Sequence, residues 1–174
     1  MDSDLTLDFI IIIVLIIANG LFSMTELAIV NAKKRKLEEL AEAGNERAKK
    51  AFELAEHPND MFSTIQIGIT LVGILTGLYS GATFSGPLEE ILTANIPSIE
   101  PYAASVSSFL IVAIITYLSL VIGELVPKRL ALNSPEGIAV VVAKPIYWLS
   151  VALKPIVSFL GVSTEFLLKI LGVT

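Results

Sequence analysis

The sequence predicts an all-α membrane protein: three transmembrane helices with the N-terminus outside and the C-terminus inside, a cytoplasmic pair of short helices, and a proline-kinked juxtamembrane helix at the interface. Three observations predict it. Of 174 residues, 54% are hydrophobic and only 17% charged, with a mean hydropathy of +0.77, whereas soluble domains carry about a quarter charged residues. Apolar runs over about residues 5–30, 60–82 and 102–124 approach or exceed the roughly 20 residues that cross a hydrocarbon core. Between the first two runs lies a polar stretch holding Lys33, Lys34, Arg35, Lys36, Arg47, Lys49 and Lys50, more than half of the 12 basic residues. The positive-inside bias places that stretch in the cytoplasm.

Composition also excludes functions. The chain has no cysteine, hence no disulfide and no thiolate metal site. It has no basic surface interleaved with aromatics, so no nucleic-acid partner is expected. No nucleophile, base and orienting group converge in it, so it is not expected to be an enzyme.

The first span, about 5–30, is uncharged from Phe9 to Leu21. Asp2, Asp4 and Asp8 lie ahead of that run without a basic region, which argues for a retained helix rather than a cleaved signal peptide. Asn19, Ser23 and Glu26, at i, i+4 and i+7, share one helix face, and polar faces of membrane helices look into the bundle. Interhelical packing for Ser23 and cytosolic water for Glu26 are the plainer readings of those two residues.

Residues 32–57 read as the short helical pair, broken at Gly44-Asn45. Its charge run suits topology and lipid headgroups. His57 precedes Pro58 and reads as a loop residue, with Asn59 or Asp60 capping the second span. That span, about 60–82, belongs to an uncharged stretch from Met61 to Gly86. Gly73, Gly77 and Gly81 form a small-residue ladder that lets another helix approach closely, and Gln66, Thr70 and Gly73 make a neighbouring stripe offering oxygens. Pro87 to Pro101 carries Glu89, Glu90 and Glu100 but no base, as an external loop would.

The third span, about 102–124, has Ser105, Ser107, Ser108, Thr116 and Ser119 as its polar members and runs into Gly123-Glu124-Leu125-Val126-Pro127-Lys128. An acid at that depth is costly, and marks function by default. Pro127 has no N–H for the carbonyl of Gly123. A carboxylate beside a freed carbonyl offers hard oxygens of the kind Mg²⁺ accepts. The alternative is an i,i+4 ion pair between Glu124 and Lys128 at the membrane surface, with the proline merely ending the helix.

Ser134-Pro135 reads as a helix start with proline at the first position. Lys144-Pro145 and Lys154-Pro155 then interrupt the apolar stretch, leaving no piece of spanning length. The segment, about 135–172, is expected to lie along the cytoplasmic interface as a bent amphipathic belt. A fourth span over roughly Ala139 to Leu160 is the alternative.

Three blocks together resemble one family. Asn19-Gly20-Leu21-Phe22-Ser23-Met24-Thr25-Glu26-Leu27-Ala28, Gln66-Ile67-Gly68-Ile69-Thr70-Leu71 and Gly123-Glu124-Leu125-Val126-Pro127-Lys128 look like the transmembrane domain of the CorC/CorB/CNNM magnesium transporters, in order, over essentially the whole chain. The resemblance implies a single domain over residues 1–174, homodimeric in the plasma membrane, exporting Mg²⁺ with Na⁺ as a possible coupling ion in part of the family. It also implies cytosolic nucleotide-binding CBS domains in a longer protein. Carried over, the family's serine falls on Ser23 and its glutamate on Glu124. Many members have Gly-Asn-x-Leu-Val-Asn in the second span, where this chain has Gly68-Ile69-Thr70-Leu71-Val72-Gly73. The hydroxyl of Thr70 or a carbonyl near Gly73 would take that place, or the departure signals weaker binding or another substrate.

The leading expectation is therefore a Mg²⁺ transporter whose ion meets Ser23, Thr70, Gly73, Gly123 and Glu124. Asn19, Glu26, Gln66, Pro127 and Lys128 line or gate the cavity, and Gly73, Gly77 and Gly81 serve helix packing. No basic residue lies inside the three spans to neutralise Glu124. The alternatives are a membrane anchor and dimerisation scaffold for cytosolic domains, and a transporter of another cation such as a polyamine.

Overall fold

The computed structural model describes residues 2–172, and the side chains of Asp2 and Asp4 lie outside the described residues. The helices are α1 (Asp2–Asn31), α2 (Lys34–Glu42), α3 (Glu46–Glu56), α4 (Pro58–Asn95), α5 (Ala103–Leu120), α6 (Val126–Asn133) and α7 (Pro135–Ile170). A 3₁₀ turn, Pro97–Tyr102, precedes α5, and a π turn, Val121–Leu125, joins α5 to α6. No strand forms among the described residues. The chain divides into two compact units, residues 2–24 with 68–130 and residues 25–67 with 131–172.

In the first unit hydroxyls share the interior with Ile12 and Ile16, and most large apolar side chains face out. Ser23, Thr76, Ser80 and Ser107 are buried, while Leu78 and Phe109 are each 71% exposed. Outward apolar and inward hydroxyl side chains are what a helix surrounded by lipid presents. Polar groups join the helices. The Tyr79 hydroxyl of α4 donates to the Asp8 carboxylate of α1, and the Ser107 hydroxyl of α5 donates to the Ser85 carbonyl of α4.

Helix α4 is longer at its C-terminal end than the sequence suggests. It runs through Pro87 to Asn95, and the expected external loop shrinks to the 3₁₀ turn. Pro87 removes one backbone bond, but the last turn is closed by side chains. The Thr93 hydroxyl donates to the Glu89 carbonyl at 2.6 Å, and Asn95 Nδ2 to the Ile91 carbonyl at 2.7 Å. At the other end, in the second unit, the helix starts on Pro58 itself rather than after a cap at Asn59 or Asp60. Proline suits the first position because its missing N–H is unpaired there anyway.

The second unit contains the expected helical pair. Gly44, at φ 93°, turns the chain between α2 and α3, a conformation that favours glycine. The Asn45 side-chain Oδ1 then caps α3, accepting from the N–H of Arg47 at 3.0 Å and of Ala48 at 3.1 Å. Leu37 of α2 and Ala48, Ala51, Leu54 and Ala55 of α3 are buried. Helix α3 packs on α7, whose Ala139, Val142, Ala143 and Ile146 form a buried stripe at helical spacing. Charges rim this core. Lys36 pairs with Glu136 at 3.5 Å. The Lys50 ammonium lies 3.8 Å above the Tyr147 ring and 2.8 Å from Glu53, and that hydrogen bond raises its pKa above the ordinary lysine value.

Helix α7 corrects a second expectation. It starts at Pro135 as predicted, then continues unbroken for 36 residues through Pro145 and Pro155. Both prolines are exposed, so their rings stand off the packed stripe and each costs little beyond one backbone bond. Four helical stretches, 5–31, 58–95, 97–133 and 135–170, are thus long and apolar enough to cross a membrane. Length alone does not set the fourth apart.

Candidate functional site

The site grows from a proline in the wrong place for a helix. Pro127 follows Glu124 by three residues and has no N–H to offer the Gly123 carbonyl one turn earlier. The chain widens instead into the π turn, in which the Val126 N–H reaches back to the Val121 carbonyl. Such single-turn expansions inside helices often sit at functional sites. The oxygen predicted to be freed is then met from another helix. Asn19 Nδ2 of α1 donates to the Gly123 carbonyl at 3.2 Å.

Glycines make that meeting possible. A Cβ on Gly20 would lie 2.9 Å from Pro127 Cγ and 3.1 Å from the Ile122 carbonyl. One on Gly123 would lie 3.2 Å from both Asn19 Nδ2 and the Ile16 carbonyl. Helix α1 and the π turn therefore cross with backbone nearly on backbone. Phe22 uses the same device nearby, its ring filling the space where a side chain at Gly68 would sit. Because Asn19 faces a carbonyl, only its amino group can point there. Its Oδ1 is left buried with no hydrogen-bond partner, an arrangement that costs about 1–3 kcal/mol in a protein interior.

Beside this crossing is a cavity of about 220 Å³ lined by Asn19, Gly73, Thr76, Gly77, Ile115, Thr116, Ser119, Leu120 and Glu124. Glu124 is the one charged residue among them. Its carboxylate does not stand alone: Lys128 Nζ donates to it at 2.6 Å. The sequence places no base inside the span, but one turn beyond it Lys128 reaches back. The ion pair of the alternative reading is thus present, while its other half fails, because the helix continues past Pro127 to Asn133.

Of the predicted site residues, the cavity brings together Asn19, Gly73 and Glu124; Lys128 is attached to the acid, and Gly123 and Pro127 meet α1 at Asn19 and Gly20 without lining the cavity. Ser23 is buried and Thr70 exposed, and neither is among the lining residues. Glu26 and Gln66 belong to the second unit. Gly81 and its ladder partners Gly73 and Gly77 meet nothing: a Cβ on any of the three would find no atom within 4 Å. The expected packing of that ladder is therefore not made among the described residues. The hydroxyls of Thr76, Thr116 and Ser119 were missed as lining groups. A signal existed for two of them, since Thr116 and Ser119 fall on the same helix face as Gly123.

A second cavity, about 300 Å³, lies within the other unit and is lined by residues including Glu53, His57, Asp60, Tyr147 and Lys154. Among the described residues no three acidic, histidine or cysteine side chains converge as a metal site, there or elsewhere. His57 is exposed, its Nδ1 3.2 Å from the Glu53 carbonyl, as suits a loop residue.

A family model, the Cyclin M transmembrane N-terminal domain, matches residues 10–174. The chain belongs to the CNNM family. Over 172 residues, 99% of its length, it is 50% identical to the UPF0053 protein sll0260 of Synechocystis, and over 169 residues, 97%, it is 32% identical to the UPF0053 protein YugS of Bacillus subtilis. It is also 29% identical over 160 residues, 92% of its length, to the polyamine export protein of Escherichia coli. The chain spans 38%, 39% and 35% of these relatives respectively. Family and exposed apolar helices together make it a multi-pass membrane protein.

Proposed function

We propose that this chain is the cation-transporting membrane domain of a longer protein, with Mg²⁺ as the cargo and export as the direction. One observation carries the reading: a cavity among membrane-type helices whose lining holds one charged residue, Glu124, together with Asn19, Thr76, Thr116 and Ser119. One carboxylate with neutral oxygens holds a hard cation firmly enough to capture it and loosely enough to release it. Ser23 and Thr70, the family-derived ligands that do not line the cavity here, join the shell in another state of the transport cycle. In this reading α1, α4 and the helix through the π turn span the plasma membrane with the N-terminus outside. The lysine-rich pair is cytoplasmic, and α7 lies along the interface as the belt. A second copy packs on the open Gly73, Gly77 and Gly81 ladder, Na⁺ entry supplies the drive, and CBS domains follow in the full-length protein. The domain is not an enzyme.

Polyamine export is the second reading, and two observations favour it. The structure already seats a primary ammonium, that of Lys128, on Glu124, and one group of relatives carries the name polyamine export protein. Proteoliposome flux separates the cases. Glu124→Gln should reduce Mg²⁺ efflux at least tenfold while leaving helix content unchanged. Loss of spermidine flux instead, with Mg²⁺ never transported by wild type, transfers the site to the second reading. A protein that moves neither solute, and whose Glu124→Gln form retains full function in cells, would be a scaffold.

A further inference from the structure

The cavity's only acid is engaged by a lysine of the same helix, and this has a consequence for transport. The inference rests on reading Glu124 as the acid that receives the cargo. We propose that Lys128 is a tethered competitor of that cargo: its ammonium holds the Glu124 carboxylate when the site is empty and leaves it when a cation binds.

The geometry fits such exchange. Lys128 follows Glu124 by one turn, and the 2.6 Å contact is a full charge-assisted hydrogen bond, yet the two side chains are 34% and 40% exposed. A pair that the chain itself does not enclose leaves room for movement, and the lysine's flexible four-carbon stem lets the ammonium swing out without moving backbone. Backbone motion is what the surroundings resist, because Pro127 and Gly123 are both locked against α1 at Gly20 and Asn19. The movable part of the site is therefore the lysine side chain, and the fixed part is the turn that carries the acid. In the empty state the pair also cancels the charge of a carboxylate that would be costly to hold alone among apolar helices. An empty carrier can then change conformation without a bare acid.

The effect on affinity follows from populations. If the pair is closed about four-fifths of the time, the carboxylate is free for about one-fifth, and the apparent cation affinity is weakened about fivefold. Removing the ammonium should return that factor.

The test is a titration of the purified chain in nanodiscs, with Mg²⁺ and separately with spermidine, following thermal stabilisation. Wild type is set beside Lys128→Met, Lys128→Arg, Arg129→Gln and, as the control without the acid, Glu124→Gln. Lys128→Met should saturate at about fivefold lower cation, whereas Lys128→Arg stays near wild type. Arg129→Gln removes the same charge one residue away without touching the pair, and should shift the midpoint less than twofold. Added methylammonium, the untethered equivalent of the lost group, should raise the cation requirement of Lys128→Met and hardly affect wild type. In liposomes the same variant should show a lower KM together with slower turnover, because release is no longer assisted. An unchanged or higher midpoint in Lys128→Met, with wild type saturating and Glu124→Gln not, overturns the competitor role and leaves the cation site standing. An equal shift in Arg129→Gln also overturns it, as general repulsion. If neither wild type nor Lys128→Met saturates with either cation, the cation reading itself falls and the proposal with it. Should Lys128→Met fail to fold, Lys128→Gln and the methylammonium arm decide the question.

Discussion

The two units of this chain differ in what their helices bury. In residues 2–24 with 68–130, several hydroxyls are inside beside Ile12 and Ile16 while most large apolar side chains are outside: Ser107 is fully buried and Phe109 is 71% exposed. In the helical pair of the other unit, Leu37 is fully buried and the charges of Lys36, Lys50 and Glu53 lie around the rim, Lys36 facing Glu136 of α7. Helix α7 is intermediate, with one packed stripe of small and branched residues and another side on which Trp148 is 65% exposed. Each pattern is the one its solvent rewards. Water drives leucine inward. Lipid gives no such drive, so helices cohere through close backbone approach and polar contacts.

If that distinction is right, the two units should break by different substitutions. The largest effect is expected from a cavity in the water-type core. Leu37→Ala should destabilise the helical pair by about 2–5 kcal/mol, read as faster hydrogen exchange of α2 and α3 amides with the other unit unaffected. Next is a crowding change in the lipid-type unit. In Gly20→Ala the added methyl would sit 2.9 Å from Pro127 Cγ, and overpacking of this kind costs about 1–3 kcal/mol. Thermal unfolding in detergent should show it. A Gly20→Ala protein as stable as wild type would mean that α1 and the π turn do not lean on each other as the geometry shows.

Much of this was legible in the residues. The helical pair announced itself through Gly44-Asn45, because a left-handed turn and an N-cap are local chemistry. The freed carbonyl of Gly123 followed from Pro127 alone. Its partner was less accessible: Asn19 was placed on the polar face of the first span, but nothing in the sequence shows that its amide donates 104 residues away. The partner of Glu124 was half legible. Both members of the pair are visible at i,i+4, yet whether the lysine folds back or stays in water depends on the shape of the turn between them. Prolines account for two differences. Pro87 reads as the start of a loop and Pro145 and Pro155 as kinks that leave no apolar piece of spanning length, yet a long apolar helix tolerates the loss of single backbone bonds when neighbouring turns hold. Which hydroxyls line the cavity depends on how helices rotate against one another, and spacing within one helix does not fix that.

The smallest effect probes the one glycine stripe that is open. Gly73, Gly77 and Gly81 resemble Gly20 in sequence character but differ in surroundings, since a Cβ on any of them meets no atom of the chain within 4 Å. For the chain alone, Gly77→Ala should therefore stabilise α4 by about 0.5–1 kcal/mol, the ordinary gain of alanine over glycine inside a helix. A second copy seated on the ladder reverses that sign for the assembly, because the methyl then enters a surface shaped for close approach. Sedimentation equilibrium in detergent distinguishes the two through the balance of dimer and monomer. With the proposed homodimer, Gly77→Ala moves the population toward monomer while helix content holds. An unchanged association state, with the small gain in stability, would mean that the stripe is kept bare for the cavity that Gly73 and Gly77 line rather than for a partner.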